Sequence, residues 1–257
     1  MTPYAGGAAE VSKMTSTALD AVAPTGLAPA PATMAPATGA RSRLDAAAKR
    51  VLDLVVSASV LLLLLPLIGL VALLIRLDSP GPVFFRSRRV GHRRRELPML
   101  KFRKMHDNAS GMALTLDDDE RFTRIGLWLA KLKIDELPQF WHVLRGDMSL
   151  VGPRPESASF VSRFADEYDV ILAAKPGIIG LSQIAFAEEG RILDDDDPVG
   201  HYVERILPQK VRMDMMYVSR RSVGLDLRIL LWASVAVLMR REVAVRRADG
   251  RMNLRRR

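Results

Sequence analysis

Residues 54–75 read LVVSASVLLLLLPLIGLVALLI, an uncharged run that decides what kind of fold this chain adopts. A straight helix of that length rises roughly 33 Å, enough to cross a hydrocarbon core of roughly 30 Å. Two features oppose a simple crossing. Pro66 stands near the middle, where it removes a backbone hydrogen bond and kinks or breaks a helix. Both flanks are basic: Arg41, Arg43, Lys49 and Arg50 precede the run, and Arg76, Arg86, Arg88 and Arg89 follow it. Basic flanks favour the cytoplasmic face, so both ends want the same side. Folding back at Pro66 satisfies both, with arms of roughly 18 and 14 Å, about one leaflet deep. A kinked single span accounts for the run nearly as well, and the residues alone leave both open.

Upstream, residues 1 to about 40 are dominated by Ala, Pro, Thr and Gly without helical or strand period. Such a stretch cannot bury enough apolar surface to offset its ordering entropy, so a disordered tail is expected. It does not read as a secretory signal, because the apolar run starts late and lacks a small-residue cleavage pattern. That tail carries Lys13 against Glu10 and Asp20, so of the formal +9 the rest of the chain carries +10. It calls for a partner bearing phosphates: nucleic acid, anionic lipid headgroups or a nucleotide. With no cysteine, disulfides and thiol chemistry are excluded; four scattered histidines lack metal-ligand spacing.

Downstream, PVFFRSRRV and LPMLKFRKM read as two strands joined at GHRRRE. Most of the six arginines between positions 86 and 95 are expected against lipid headgroups. Lys101 and Arg103, set between apolar residues on the return strand, can be aimed at a specific phosphate. Helical stripes follow at Phe122, Ile125, Leu129 and Leu132, at Leu137, Phe140, Trp141 and Leu144, and at Leu207, Val211, Met215 and Val218. They are most simply core. The apolar run 229–239, bracketed by arginines, is too short to span and suits a helix lying in the interface.

The expected fold is therefore α+β, mainly helical: a monotopic membrane protein with a helix-break-helix hairpin, a small β-hairpin and interfacial amphipathic helices. Its parts are a tail at 1–40, the membrane hairpin at 41–78, a cytoplasmic or interfacial domain at 79–245 and a basic tail at 246–257.

Two segments carry chemistry. In KIDELPQFWHVL, Asp135 suits an N-cap and Pro138 a first helical turn. The helix dipole would keep Asp135 ionised and competent towards phosphorus, while Glu136 points elsewhere and can hold Mg²⁺. Spacing by itself favours the plainer reading of a capping acid beside a solvated one. In GDMSLVGPRPE, Pro153 and Pro155 restrict the backbone around Arg154, whose guanidinium can grip phosphate; a stiff surface turn fits equally. PGIIGLSQI (176–184) reads as a turn then an extended run, its glycines allowing close backbone approach. Asp194 to Asp197 reads as a solvated loop.

Taken in order, KRVLDLVVS, GPVFFRSRRVG, LKFRKM, DDERFTRIG, IDELPQFWHVLRGDMSLVGPRP, KPGIIGLSQI, LPQKVRMDMMYV and LDLRILL resemble the bacterial sugar transferases, or monotopic phosphoglycosyl transferases. The resemblance covers roughly residues 49 to 240 and suggests the short, core-only branch. It implies that Asp135 attacks the β-phosphate of a UDP-sugar, releases UMP, and passes the phosphosugar to a polyprenyl phosphate. It associates Glu136 with Mg²⁺ and adds Lys101, Arg154 and Asp214 to the polar site, with Arg121 and Arg124 as further phosphate contacts. It implies a re-entrant hairpin broken at Pro66, and the cytoplasmic face of a bacterial inner membrane as the location. Homo-oligomerisation stays open, as does the sugar. His142, Ser87, Lys133 and Ala233-Ser234 depart from the family's usual residues. Two other classes compete. A membrane-tethered nucleic-acid binder explains the charge but leaves the acid pair idle, and the chain shows no nucleic-acid motif. A non-catalytic assembly protein predicts that Asp135→Asn is silent.

Overall fold

The computed structural model describes residues 40–107, 109, 114–115, 119–187, 189–193, 196–239, 243–246 and 249–254. The expected tail at 1–40 lies outside them except for its last residue. The uncharged run sits within one long helix, α1 (Ala40–Asp78), whose helical backbone continues through Pro66. No non-helical residue separates the two expected arms. Among the described residues it is the one helix long and apolar enough to cross a membrane.

Both halves of α1 are tied to the domain that follows. Near its start, Lys49 pairs with Asp226 and donates to the Val151 carbonyl, and Arg50 donates to the carbonyls of Val143 and Leu144. Buried Asp53 accepts from the Ser149 hydroxyl and the Leu150 amide. Near its end, Val71 and Ile75 pack with Phe102 and Leu129 in a small apolar core. The middle stays bare: Leu62 and Leu63 are 73% and 78% exposed.

Next come β1 (Phe84–Val90) and β2 (Glu96–Phe102), an antiparallel hairpin pairing Phe85 with Lys101 and Arg89 with Leu97. The 3₁₀ turn His92–Arg94 joins them, with Arg93 and Arg94 both at positive φ. The hairpin is the one expected. Two of its arginines are not spent on lipid, since Arg94 binds Asp169 and Arg89 reaches Glu156.

Helix α2 (Arg124–Lys131), capped by the Thr123 hydroxyl, leads through the 3₁₀ turn Ile134–Glu136 into α3 (Gln139–Arg145). Here the expected core stripes are corrected. Leu129 and Val143 are buried, but Leu132 and Trp141 are 53% and 51% exposed, beside an exposed Trp128. The reason is position: α2 and α3 pack on α1, and their outer apolar residues continue its bare surface.

Strand β3 (Ser149–Val151) pairs in parallel with β4 (Gly177–Ile179), with α4 (Ala158–Val161) and α5 (Ala165–Ile171) between them. The approach is close enough that a Cβ on Gly177 would overlap the Gly152 backbone, as its glycines suggested. The extended run is shorter than expected, because 181–185 turn helical as α6 (Leu181–Ala185). Helices α7 (Glu189–Ile192) and α8 (Pro198–His201) follow. A π-helical turn, Tyr202–Ile206, runs into α9 (Leu207–Arg220). Asp194 and Asp195 lie outside the described residues, while Asp197 caps α8.

Helix α10 (Val223–Met239) starts six residues before the expected apolar run, and its first turn carries buried Asp226. A last hairpin pairs β5 (Val243–Val245) with β6 (Met252–Leu254). The expected boundary at 245 thus divides a hairpin, and the basic tail contributes a strand to the fold.

Candidate active site

The 3₁₀ turn Ile134–Glu136 holds the acid pair, and Lys133 before it adopts a left-handed conformation at φ 57°. A lysine held there costs on the order of 1 kcal/mol or more, a strain that packed surroundings must sustain. Asp135 does not cap α3 as expected; the N-cap is Pro138, without a side-chain bond. Asp135 is instead buried, with Oδ2 3.6 Å from Lys104 Nζ.

Glu136 is the hub. Its Oε1 accepts from Lys101 Nζ at 2.9 Å and from Arg154 Nη2 at 2.7 Å, while Oε2 has only a 3.5 Å contact with Arg154 Nη1. Burial pushes the Glu136 carboxyl up, but Arg154 and Lys101 outweigh it and hold the group well below the usual carboxylate range. Burial lowers the Lys101 ammonium, opposed by Glu136. The Arg154 guanidinium is held charged, chiefly by Glu136. Two cations and two carboxylates thus gather in a largely buried cluster, where charge on a phosphoryl group would be strongly felt.

Each member is placed by backbone. Lys101 lies on β2, on the face shared with Phe85 and Arg89. Arg154 leaves the loop after β3 between buried Pro153 and Pro155, and the Pro153 carbonyl takes the Gly177 amide at 2.8 Å. The PRP turn is therefore stitched to β4 and holds the guanidinium on the acid.

The remaining expected residues divide. Asp214 is buried on α9 and accepts from the Ser182 hydroxyl at 2.7 Å, so it does not touch the acid pair. Burial pushes its carboxyl up to about 7, and Lys210 and Arg154 both pull against that. Arg103, expected at a phosphate, is a correction: its guanidinium donates to the carbonyls of Ser79 and Pro80 at 2.7 and 2.6 Å and to the Ser79 hydroxyl. It closes the end of α1. Arg121 binds Asp119 and the Leu114 carbonyl. Arg124 opens α2 and is exposed.

Sequence reasoning missed a second polar cluster beside Arg154. Lys210 Nζ, buried, donates to Glu156, Glu189 and the Tyr202 hydroxyl at 3.1, 2.9 and 2.9 Å, and Tyr202 donates to Glu156. The signal was there: Lys210 precedes Asp214 by one helical turn within the apolar stripe of α9.

For a divalent ion, no group of three potential ligands occurs among the described residues. Magnesium commonly takes one or two carboxylates and completes its shell with substrate phosphates and water. Asp135 and Glu136 are the residues that would supply such a donor set, and Glu136 Oε2 is the oxygen less engaged by cations.

Comparison with known proteins identifies the family. A family model described as bacterial sugar transferase matches residues 44–240. The undecaprenyl-phosphate glucose phosphotransferase of Komagataeibacter xylinus is 38% identical over 216 residues, 80% of this chain and 38% of that protein. The UDP-N-acetylgalactosamine-undecaprenyl-phosphate N-acetylgalactosaminephosphotransferase of Aeromonas hydrophila is 40% identical over 187 residues, 71% and 41% of the two chains. The exopolysaccharide production protein PSS of Rhizobium leguminosarum bv. phaseoli is 36% identical over 206 residues, 77% of this chain and 98% of that one. The chain thus spans about two fifths of the first two relatives and nearly all of the third. With most of its length matched by the family model, the chain belongs to the bacterial sugar transferase family.

Proposed function

We propose that this chain transfers a sugar-1-phosphate from a UDP-sugar to polyprenyl phosphate, as a first membrane step of exopolysaccharide or glycoconjugate synthesis. The observation that carries the reading is the Asp135-Glu136 turn with Lys101 and Arg154 closed on Glu136. An Asp135 oxygen attacks the β-phosphorus; the bond from phosphorus to the bridging oxygen breaks, and UMP leaves with the electron pair. An oxygen of polyprenyl phosphate then attacks the same phosphorus, the bond to Asp135 breaks, and the carboxylate is restored. Lys101 and Arg154 orient Glu136 and offer N–H groups to the phosphoryl oxygens, and Lys104 steadies Asp135. Mg²⁺, held by Glu136 with Asp135 beside it, would neutralise charge on the diphosphate.

The contacts of α1 support a membrane placement. Lys49, Arg50 and Asp53 at one end, and Val71 and Ile75 at the other, touch one catalytic body. A crossing would put these ends on opposite sides of the bilayer and oblige that body to follow them. This supports an α1 that enters and leaves on one side, with the body on the cytoplasmic face of the inner membrane, although its backbone stays helical through Pro66.

The test is UMP release by the detergent-solubilised protein with Mg²⁺, polyprenyl phosphate and a panel of UDP-sugars. Release with at least one sugar, abolished by chelation, is expected. No release from any of them by folded protein refutes the reading.

A further inference from the structure

The acid-bearing segment and the lysine-bearing strand are joined twice. One joint is Lys101 Nζ to Glu136 Oε1 at 2.9 Å. The other lies one residue back on the strand and six residues on along the segment, where the Leu100 amide N–H meets His142 Nε2 at 3.1 Å. Among the described residues strand β2 pairs with β1 alone, so the amide groups of its other edge have no strand partner. His142, buried on α3, takes one of them immediately before the catalytic lysine.

The chemistry of this bond fixes the state of the ring. A backbone N–H only donates, so Nε2 must be the unprotonated nitrogen and the proton sits on Nδ1. Nδ1 lies 3.4 Å from Asp147 Oδ2, which suits it as donor to that carboxylate. A second proton on the ring would make Nε2 a donor facing a donor, and the joint would open. The charges around the ring are mixed. Asp147 faces Nδ1 and is itself paired with Arg145 at 3.3 Å. From α1, Arg50 holds the carbonyls of Val143 and Leu144, and Asp53 holds Leu150. From β2 comes Lys101, and from the loop before β4 Lys175 lies beside Gly146.

We infer that His142 is a positioning residue for the reaction proposed above, on which the inference rests. As the neutral Nδ1–H ring it pins the Leu100 amide, sets the register of β2 against the acid pair, and so delivers Lys101 to Glu136. It touches neither substrate nor reacting atoms and acts on the site through the register alone.

Two variants separate this from simple packing. The amide oxygen of His142→Gln reaches where Nε2 stood and accepts without titrating, whereas His142→Leu fills space and accepts nothing. At neutral pH, His142→Gln should turn over within about threefold of the parent, and His142→Leu should fall about tenfold or more with its melting point checked, the order expected from one buried donor left unmade. Hydrogen exchange across residues 96–102 reads the joint without any substrate: Leu100 should keep its protection in His142→Gln and lose it in His142→Leu. A His142→Gln variant as impaired as His142→Leu, or one that loses Leu100 protection as well, overturns the inference. A parent without turnover whose variants still show that order of Leu100 protection would overturn the proposed reaction and leave the joint standing.

Discussion

At the scale of single residues, the two carboxylates carry distinct burdens. Asp135→Asn keeps size and burial but removes the attacking charge, so UMP release should fall at least about 10³-fold with an unchanged melting point. Retention of a tenth of the parent rate would mean Asp135 is not the nucleophile. Asp214 makes a different prediction. Burial raises its folded-state pKa to about 7, far above the usual carboxylate value. A raised carboxyl contributes stability that is complete below about pH 4 and is lost as pH climbs through about 7. That loss is on the order of 4 kcal/mol for a shift of this size. Asp214→Asn still accepts from Ser182 and cannot ionise. Thermal unfolding in detergent should therefore show it more stable than the parent at pH 8, with the difference shrinking towards pH 5. An equal gap at both values would show that Asp214 does not titrate across this range. The acid pair, Lys101 and Arg154 were legible because their motifs put charged groups where apolar or rigid neighbours constrain them. Arg103 was not legible, because alternation gives Lys101 and Arg103 the same strand face. What separates them is what that face meets: Glu136 in one case and the end of α1 in the other.

At the scale of elements, the sequence announced the β-hairpin, the apolar helix and α9 through their periods, and missed where each ends. Helix α3 begins after Pro138 because the chain first makes a 3₁₀ turn behind a left-handed Lys133, a distortion no period encodes. The exposed Leu132 and Trp141 were misread because periodicity reports an apolar face and not what covers it; lipid and protein interior leave the same stripe. One element-level joint can be tested. Arg103 caps the last carbonyls around Ser79, so Arg103→Met should cost roughly 2–4 kcal/mol in stability, and lysine should rescue little because it lacks the fork that reaches several acceptors. Hydrogen exchange over residues 71–79 should quicken in step. Unchanged stability with a raised KM for the nucleotide sugar would return Arg103 to the phosphate role first expected of it.

At the scale of the whole molecule, bare apolar surface gathers around α1. Leu62 and Leu63 on that helix, Trp128 on α2 and Trp141 on α3 are each more than half exposed, an arrangement that water penalises and a bilayer relieves. Its amphipathic surroundings and the anchoring of both halves of α1 to one body make a topological prediction that this cysteine-free chain tests cleanly. Single cysteines at Asp45 and Arg86, both exposed and on either side of the apolar run, should react with an impermeant maleimide from the same face of the membrane. They should be shielded in intact spheroplasts and labelled in inverted vesicles. A cysteine at Leu63 should resist the reagent in both preparations until detergent is added. Labelling of Asp45 and Arg86 from opposite faces would make α1 a span. The contacts of Lys49, Arg50 and Asp53 with the body that also holds Ile75 could not then survive in the membrane, and the site would need rebuilding from the Lys101 side alone.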